Sequence, residues 1–441
     1  MSYIPSTLEE RTQMLEAVGL ESCDGFYQNV PEQFKFTGEY PNVAKEGLSE
    51  FELKDRIGRL AAQNKIYTSI FRGAGAYNHF IPSCVTHLAS RSEFVTAYTP
   101  YQPEMSQGVL QAIFEYQTTI CALTGLDVSN ASVYDGGSAA AEAVSMCLDK
   151  KRRSVVVSRT VNPGVLAVIE TYCGAMDAAL VCCPEKDGKT DLEALASLAD
   201  EQTACVYAET PNFYGIIEDG ALLAEAAHAV KAKFIAGVNP ISLAVLKSPA
   251  EYGADIAVGE GQPLGMPLSF GGPYLGFMAC KKDMMRKLPG RIAGQTVDQA
   301  GNRAFVLTLQ TREQHIRREK ALSNICSNQA LCALTAAIYC AAMGPQGLND
   351  AAYQCIANAA YLKKQLETIG FKPVFPGDTF HEFVTDCPMD SAKILAALDE
   401  KGILGGLPLN ENRILWCATE VNTKEQMDEL ITAVRSVSQH A

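Results

Sequence analysis

The sequence holds one tryptophan and six histidines, no C-x-x-C pair, and fewer basic than acidic residues, 37 Lys and Arg against 50 Asp and Glu. Each shortage removes a class of function. A duplex-binding surface needs clustered cations to displace counterions from phosphates, so a chain of net charge −13 is not read as a nucleic-acid partner. Scattered histidines without C-x-x-C pairs supply no zinc spacing, so no metal is expected. The start, "MSYIPSTLEERTQM", has two early glutamates and no apolar core, unlike a signal peptide. The longest apolar run, Leu331 to Gly344, is too short to span a bilayer and fits a buried core helix. A cytoplasmic protein with no membrane partner is expected.

What is abundant is cysteine, fifteen in all, an odd number at irregular spacing. Cys182 and Cys183 are adjacent in a strand-like run. In a reducing compartment such residues act mostly as small buried hydrophobes. At 441 residues, 47% hydrophobic, the chain can bury a large core and form two or three domains.

Helix signals come first. Ser6-x-x-Glu9 and Ser49-x-x-Glu52 both read as capping boxes, and Gly19 can end the first helix. A Gly-rich turn follows, "RGAGAYNHFIP", Arg72 to Pro82. From about Ser132 the pattern alternates. Strand-like runs at 154–158, 179–183, 204–208, 233–238 and 254–258 are separated by helix-like runs at 163–173, 191–199, 220–232 and 247–252. This is the signature of right-handed crossovers and a mostly parallel sheet. Leu275 to Lys282 reads as an added antiparallel strand. The division is an N-terminal helical arm (1–95), a large α/β domain (96–330) and a small C-terminal α/β domain of α+β type (331–441). Ligands of such sheets bind outside the carboxyl ends of the strands.

Four stretches invite chemistry. Gly136-Gly137-Ser138 opens an alanine-rich helix, either a phosphate-binding turn or a tight βα turn made of small residues. Tyr98, Tyr101 and Glu104, with Gln102 and Gln107, crowd a Pro-rich stretch that is either a pocket wall or a connector. Arg312, His315, Arg317, Arg318 and Lys320 form a basic cluster, either a receptor for a carboxylate or a solvated helix face. "GEGQPLGMPLSFGGP", Gly259 to Pro273, follows a strand where a cofactor lysine might stand, yet contains no lysine.

Taken together, "GAGAYNHFIP", "TAYTPYQPEMSQG", "GRIAGQTVD" and "FVLTLQTREQHIRREKALSNICSNQAL" closely resemble the glycine dehydrogenase (decarboxylating) family, the P-protein of the glycine cleavage system. The match spans essentially the whole chain. Its length and its N-terminal "YIPSTLEERTQMLEAVGL" look like subunit 1 of the two-subunit bacterial form. The resemblance implies the aspartate-aminotransferase-like fold, fold type I of pyridoxal phosphate (PLP)-dependent transferases, with a mostly parallel seven-stranded sheet. It implies an oxidoreductase complex in which a subunit 2 (β subunit) carries PLP. Together the subunits would decarboxylate glycine on PLP as electron sink and pass the aminomethyl group to the lipoyl arm of H-protein.

In the family's catalytic chain the cofactor loop runs His-Lys-Thr-Phe. The matching positions here are Gly261, Gln262, Pro263 and Leu264, so the resemblance puts Gln262 in place of the Schiff-base lysine. The family's Asp-Gly-Ala-Asn matches Ala236-Gly237-Val238-Asn239, with Ala236 in place of the aspartate that holds the pyridine nitrogen. The implied reading is a chain that does not hold PLP covalently and whose Gly136, Gly137 and Ser138 are a vestigial phosphate loop. Tyr98, Tyr101, Glu104 and the 310–324 segment are candidates to line a shared site or the lipoyl-arm tunnel. Two alternatives stay open. A self-sufficient PLP decarboxylase or desulfurase would need a strand-end lysine, with Lys247, Lys281 and Lys282 nearest in sequence. A purely structural or carrier-docking subunit would share every feature above.

Overall fold

The computed structural model describes residues 5–36, 38, 40–43, 47–97 and 99–438. The chain divides into two compact units, Met1–Ile66 and Tyr67–Ala441.

The first unit contains the helices Leu8–Ala17 and Glu50–Ala61. Ser49 and Glu52 form the expected capping box. The first box is shifted by one residue from Ser6 and Glu9. Thr7 caps the Glu10 N–H, and the Glu10 carboxylate accepts from the Thr7 N–H at 2.7 Å. Ser6 and Thr7 are both competent caps, so their local chemistry left the register open. Gly19, at φ 72°, follows the helix.

The second unit is built on a seven-stranded sheet. Its strands, in chain order, are β1 (Val128–Ser129), β2 (Ser154–Ser158), β3 (Ala179–Cys183), β4 (Thr203–Glu209), β5 (Lys233–Gly237), β6 (Ile256–Glu260) and β7 (Gly276–Cys280). The spatial order is β1-β7-β6-β5-β4-β2-β3. Only β7 runs against the rest, pairing antiparallel with β6 and β1. Val155 and Val157 face the helices Gly136–Cys147 and Pro163–Ala175, while Val156 faces the opposite core. That alternation is the two-residue period of a strand buried on both faces.

The opposite face is covered by the helices Gln107–Thr124, Gly220–Ala229 and Ala330–Glu367. The last contains the long apolar run. Among the described residues it is the one helix long and apolar enough to cross a membrane by length and composition. Gly344, at φ 62°, breaks it before Pro345, and its buried Ala333, Tyr339 and Cys355 pack in the core beneath the sheet.

The helix expected at 247–252 is absent; these residues form turns. Pro249 and Gly253, the latter at φ 93°, bracket a segment too short for helical cooperativity. The C-terminal part has a four-stranded antiparallel sheet made of Lys372–Pro373, Glu382–Asp386, Arg413–Cys417 and Leu407–Asn410. The helices Ser391–Glu400 and Lys424–Ser438 pack on it. All cysteines are free and most are buried.

Candidate functional site

A cleft of about 470 Å³ opens at the carboxyl ends of β4, β5 and β6, where an open α/β sheet receives its ligand. Its lining includes Gly136 and Gly137 at the start of their helix, Glu209 at the end of β4, Asn239 after β5, and Glu260 at the end of β6. The Gly-rich turn after Arg72 supplies a further wall, Gly73 to Tyr77.

The backbone permits close approach at two points. A Cβ on Gly237 would lie 2.5 Å from Tyr207 Oη and 2.7 Å from Glu209 Cγ, so those side chains occupy the space a larger residue would take. A Cβ on Gly136 would lie 2.9 Å from the Glu260 nitrogen. Helix start and strand end are therefore in direct contact.

Carboxylates dominate the polar groups. Glu209 accepts from the Asn162 N–H at 2.8 Å and the Tyr207 hydroxyl at 3.0 Å. Glu260 accepts three backbone N–H bonds: Gly136 at 2.9 Å, Gln262 at 2.9 Å and Leu275 at 3.0 Å. Behind the Gly73–Tyr77 wall, buried Glu382 accepts from the Ala74 N–H at 2.6 Å and the Tyr77 hydroxyl at 2.8 Å. Burial pushes each of these three carboxyls up to about 7 against the lowering pull of its donors. Asp135 caps the helix by accepting from the Ser138 N–H at 2.7 Å. No Lys, Arg or His is among the described residues lining the cleft.

Gln262 is fully buried beside this cleft. Its Oε1 accepts from the Tyr77 N–H at 2.9 Å, and its Nε2 donates to the carbonyls of Tyr77 at 2.9 Å and Met266 at 2.7 Å. Ala236 is buried in the core on the far face of β5 from Tyr207. The lysines nearest in sequence lie elsewhere. Lys281 bonds Asp255 at 3.1 Å, just before β6 starts and so at the end of that strand opposite the cleft. Lys247 lines a different cleft, and Lys282 is exposed.

The Pro-rich candidates fall outside the main cleft. Tyr101 lines a separate cleft of about 390 Å³ with Asn328 and Arg291, whose guanidinium sits 5.2 Å from the ring centroid. Burial pushes its hydroxyl up to about 12. Glu104 is exposed, and Tyr98 lies outside the described residues.

The basic cluster is not one helix face but three short turns, Gln310–Arg312, Gln314–Arg317 and Arg318–Lys320. Arg312 donates to the carbonyls of Leu288 and Gly290, and burial lowers its guanidinium to about 10. Arg291 pairs with buried Glu313, with His315 3.6 Å from the same carboxylate. Arg317, Arg318 and Lys320 are exposed.

A match to the glycine cleavage system P-protein family extends over residues 1–434. This chain belongs to that family. The P-protein chain is 50% identical to the probable glycine dehydrogenase (decarboxylating) subunit 1 of Moorella thermoacetica, covering 99% of this chain and 100% of that protein. It is 47% identical to the same-named protein of Bacillus cereus, covering 99% of each. A crystal structure of glycine decarboxylase (P-protein) of the glycine cleavage system, in inhibitor-bound form, superposes at a TM-score of 0.92 with 44% identity, covering 99% of this chain and 100% of that one. A NifS-like protein at 13% identity shares the fold alone, with a TM-score of 0.63 over 85% of this chain and all of that one. The fold is type I of the PLP-dependent transferases, and the chain is a glycine dehydrogenase component of subunit 1 type.

That fold implies PLP, and the residues of this P-protein chain do not fit it. An imine requires an amine, and the cleft wall offers none. The Gly136 and Ser138 N–H groups, which would otherwise face a phosphate, already bond Glu260 and Asp135. Glu209, Glu260 and Asp135 were not singled out by the sequence reading. A carboxylate closing an otherwise apolar strand was the available signal, in "ACVYAE" and "DIAVGE".

Proposed function

We propose that this chain is subunit 1 of a two-subunit glycine decarboxylase, acting with a subunit 2 that carries PLP on a lysine. The pair decarboxylates glycine and delivers the aminomethyl group to the lipoyl arm of H-protein, in the cytoplasm. One observation carries the reading: an end-to-end relative of subunit 1 proteins has a buried amide, Gln262, beside the cleft in a chain segment that resembles the cofactor loop. In this reading Gln262 stands at the lysine position, Ala236 at the aspartate position, and Gly136, Gly137 and Ser138 are a vestigial phosphate loop.

Tyr98, Tyr101, Glu104 and the 310–324 segment are assigned to a wall shared with subunit 2 or to the lipoyl-arm tunnel. Support for this comes from the Tyr101 cleft and from the exposure of Glu104 and of Arg317 to Lys320.

The test is co-expression with the candidate PLP chain, followed by glycine–bicarbonate exchange with and without this subunit. Exchange is expected to require both, with borohydride fixing PLP on subunit 2 only. A reduced adduct on a specific lysine of this chain, or full exchange without it, overturns the proposal. Tyr101→Phe and Glu104→Ala in the assembled complex test the shared wall. Lost exchange with intact assembly supports it, and unchanged exchange leaves this subunit a scaffold.

A further inference from the structure

The start of the helix Gly136–Cys147 has the ingredients of a phosphate seat: glycines for close approach, free-ended N–H groups and the positive end of the helix dipole. In this chain the seat is filled from within. Glu260 reaches across from the end of β6 to accept the Gly136 N–H at 2.9 Å, and Asp135 accepts the Ser138 N–H at 2.7 Å. The Glu260 backbone is in contact with Gly136, where even a Cβ would collide at 2.9 Å. Glu260 is anchored by two further N–H bonds, from Gln262 and Leu275, so it cannot swing aside without breaking the tie between the 262 loop and β7. Glu209 adds a third carboxylate to the lining, with no cation among the described lining residues to offset them. Above about pH 7, where these carboxyls are ionised, a phosphate dianion brought to this point would meet like charge at close range, and at lower pH it would still find the N–H groups taken.

We infer that this cleft is closed to phosphate and to phosphorylated cofactors because Glu260 and Asp135 occupy the anion seat. The consequence deepens the functional reading above and rests on it: cofactor binding is lost at the phosphate end as well as at position 262, so restoring a lysine alone does not restore it.

The test uses the full chain without its partner. Inorganic phosphate and PLP are titrated separately at constant ionic strength, reading the thermal midpoint and, for PLP, equilibrium dialysis and borohydride-fixed label. The wild-type chain and Gln262→Lys are both expected to show no saturable phosphate shift and no phosphate-competed PLP. The pair Asp135→Gly with Glu260→Ala removes both the carboxylate charge and the side-chain atoms that fill the seat. It should gain phosphate affinity by roughly tenfold or more, the scale of one charge-assisted hydrogen bond. Adding Gln262→Lys to that pair should then allow phosphate-competed PLP labelling at position 262.

A saturable phosphate-induced rise in the wild-type midpoint overturns the inference, and needs no variant to fold. So does stoichiometric labelling of the Gln262→Lys single variant. A correctly folded double variant that ignores phosphate overturns it as well. None of these readouts involves subunit 2 or glycine exchange, so failure here is distinguishable from failure of the functional proposal.

Discussion

Gln262 and Tyr77 stand 185 positions apart and exchange two hydrogen bonds, the Tyr77 N–H to Gln262 Oε1 at 2.9 Å and Gln262 Nε2 to the Tyr77 carbonyl at 2.9 Å. A side-chain amide here pairs with a peptide unit as a neighbouring strand would. It thereby pins the Gly73–Tyr77 wall to the loop after β6.

Replacing that amide should loosen both segments. Gln262→Ala leaves the Tyr77 N–H and the Met266 carbonyl among the groups without their partner. The expected loss is about 2–4 kcal/mol, since an abandoned buried donor or acceptor costs about 1–3 kcal/mol. Urea denaturation of the chain measures it. A loss below about 0.5 kcal/mol would rank the contact with ordinary surface positions.

Stability should fall as pH rises through the neutral range. Burial raises the Glu382 carboxyl to about 7 from an ordinary value of 4.5. The folded state therefore holds this proton more tightly than the unfolded state, and the advantage is full below the unfolded value and lost on approaching the folded one. Glu209 and Glu260 are shifted in the same direction. Glu382→Gln keeps an acceptor for the Ala74 N–H and lets the Tyr77 hydroxyl accept instead of donate. It should flatten the pH profile and stabilise the chain by about 1–3 kcal/mol at about pH 8, one pKa unit being worth about 1.4 kcal/mol. Thermal melts across the range read the slope, and a variant whose slope equals the wild type's would refute the assignment.

Gly237→Ala should destabilise despite alanine's better backbone entropy. The new methyl would lie 2.5 Å from Tyr207 Oη, and overpacking of this kind costs about 1–3 kcal/mol. Combining it with Tyr207→Phe removes the colliding oxygen. The double variant should then be less destabilised than the sum of the single ones, a non-additivity that a denaturation cycle detects.

The Arg291–Glu313 pair should prove asymmetric. Arg291→Ala strands a buried carboxylate and should cost about 3–5 kcal/mol, whereas replacing both partners by leucine should cost markedly less. Equal losses from single and double replacements would show that packing rather than charge is being measured.

How much of this could be read beforehand depended on how local the cause was. The strand runs at 154–158 and 179–183 were legible because each is a short, continuous, mostly apolar stretch, the first buried on both faces and the second half-buried at the sheet edge. The turn at 247–252 was misread because six residues carry too little pattern to separate a helix from a turn closed by Gly253. Gly136 and Gly137 were legible as a helix start, yet the anion that meets them was not. Glu260 lies 124 positions away and acquires its role only when β6 ends beside that helix. Tyr101 shows the same limit in reverse. Its sequence setting suggested a wall, but the arginine over its ring comes from position 291.

A seat filled by its own chain bears on what this chain needs in order to fold. Where an enzyme's fold is completed by a cofactor, its folded fraction rises with the free cofactor concentration by mass action. With Glu260 already closing the helix start, the folded fraction of this chain is expected to be the same with and without added PLP, a comparison that thermal melts make directly.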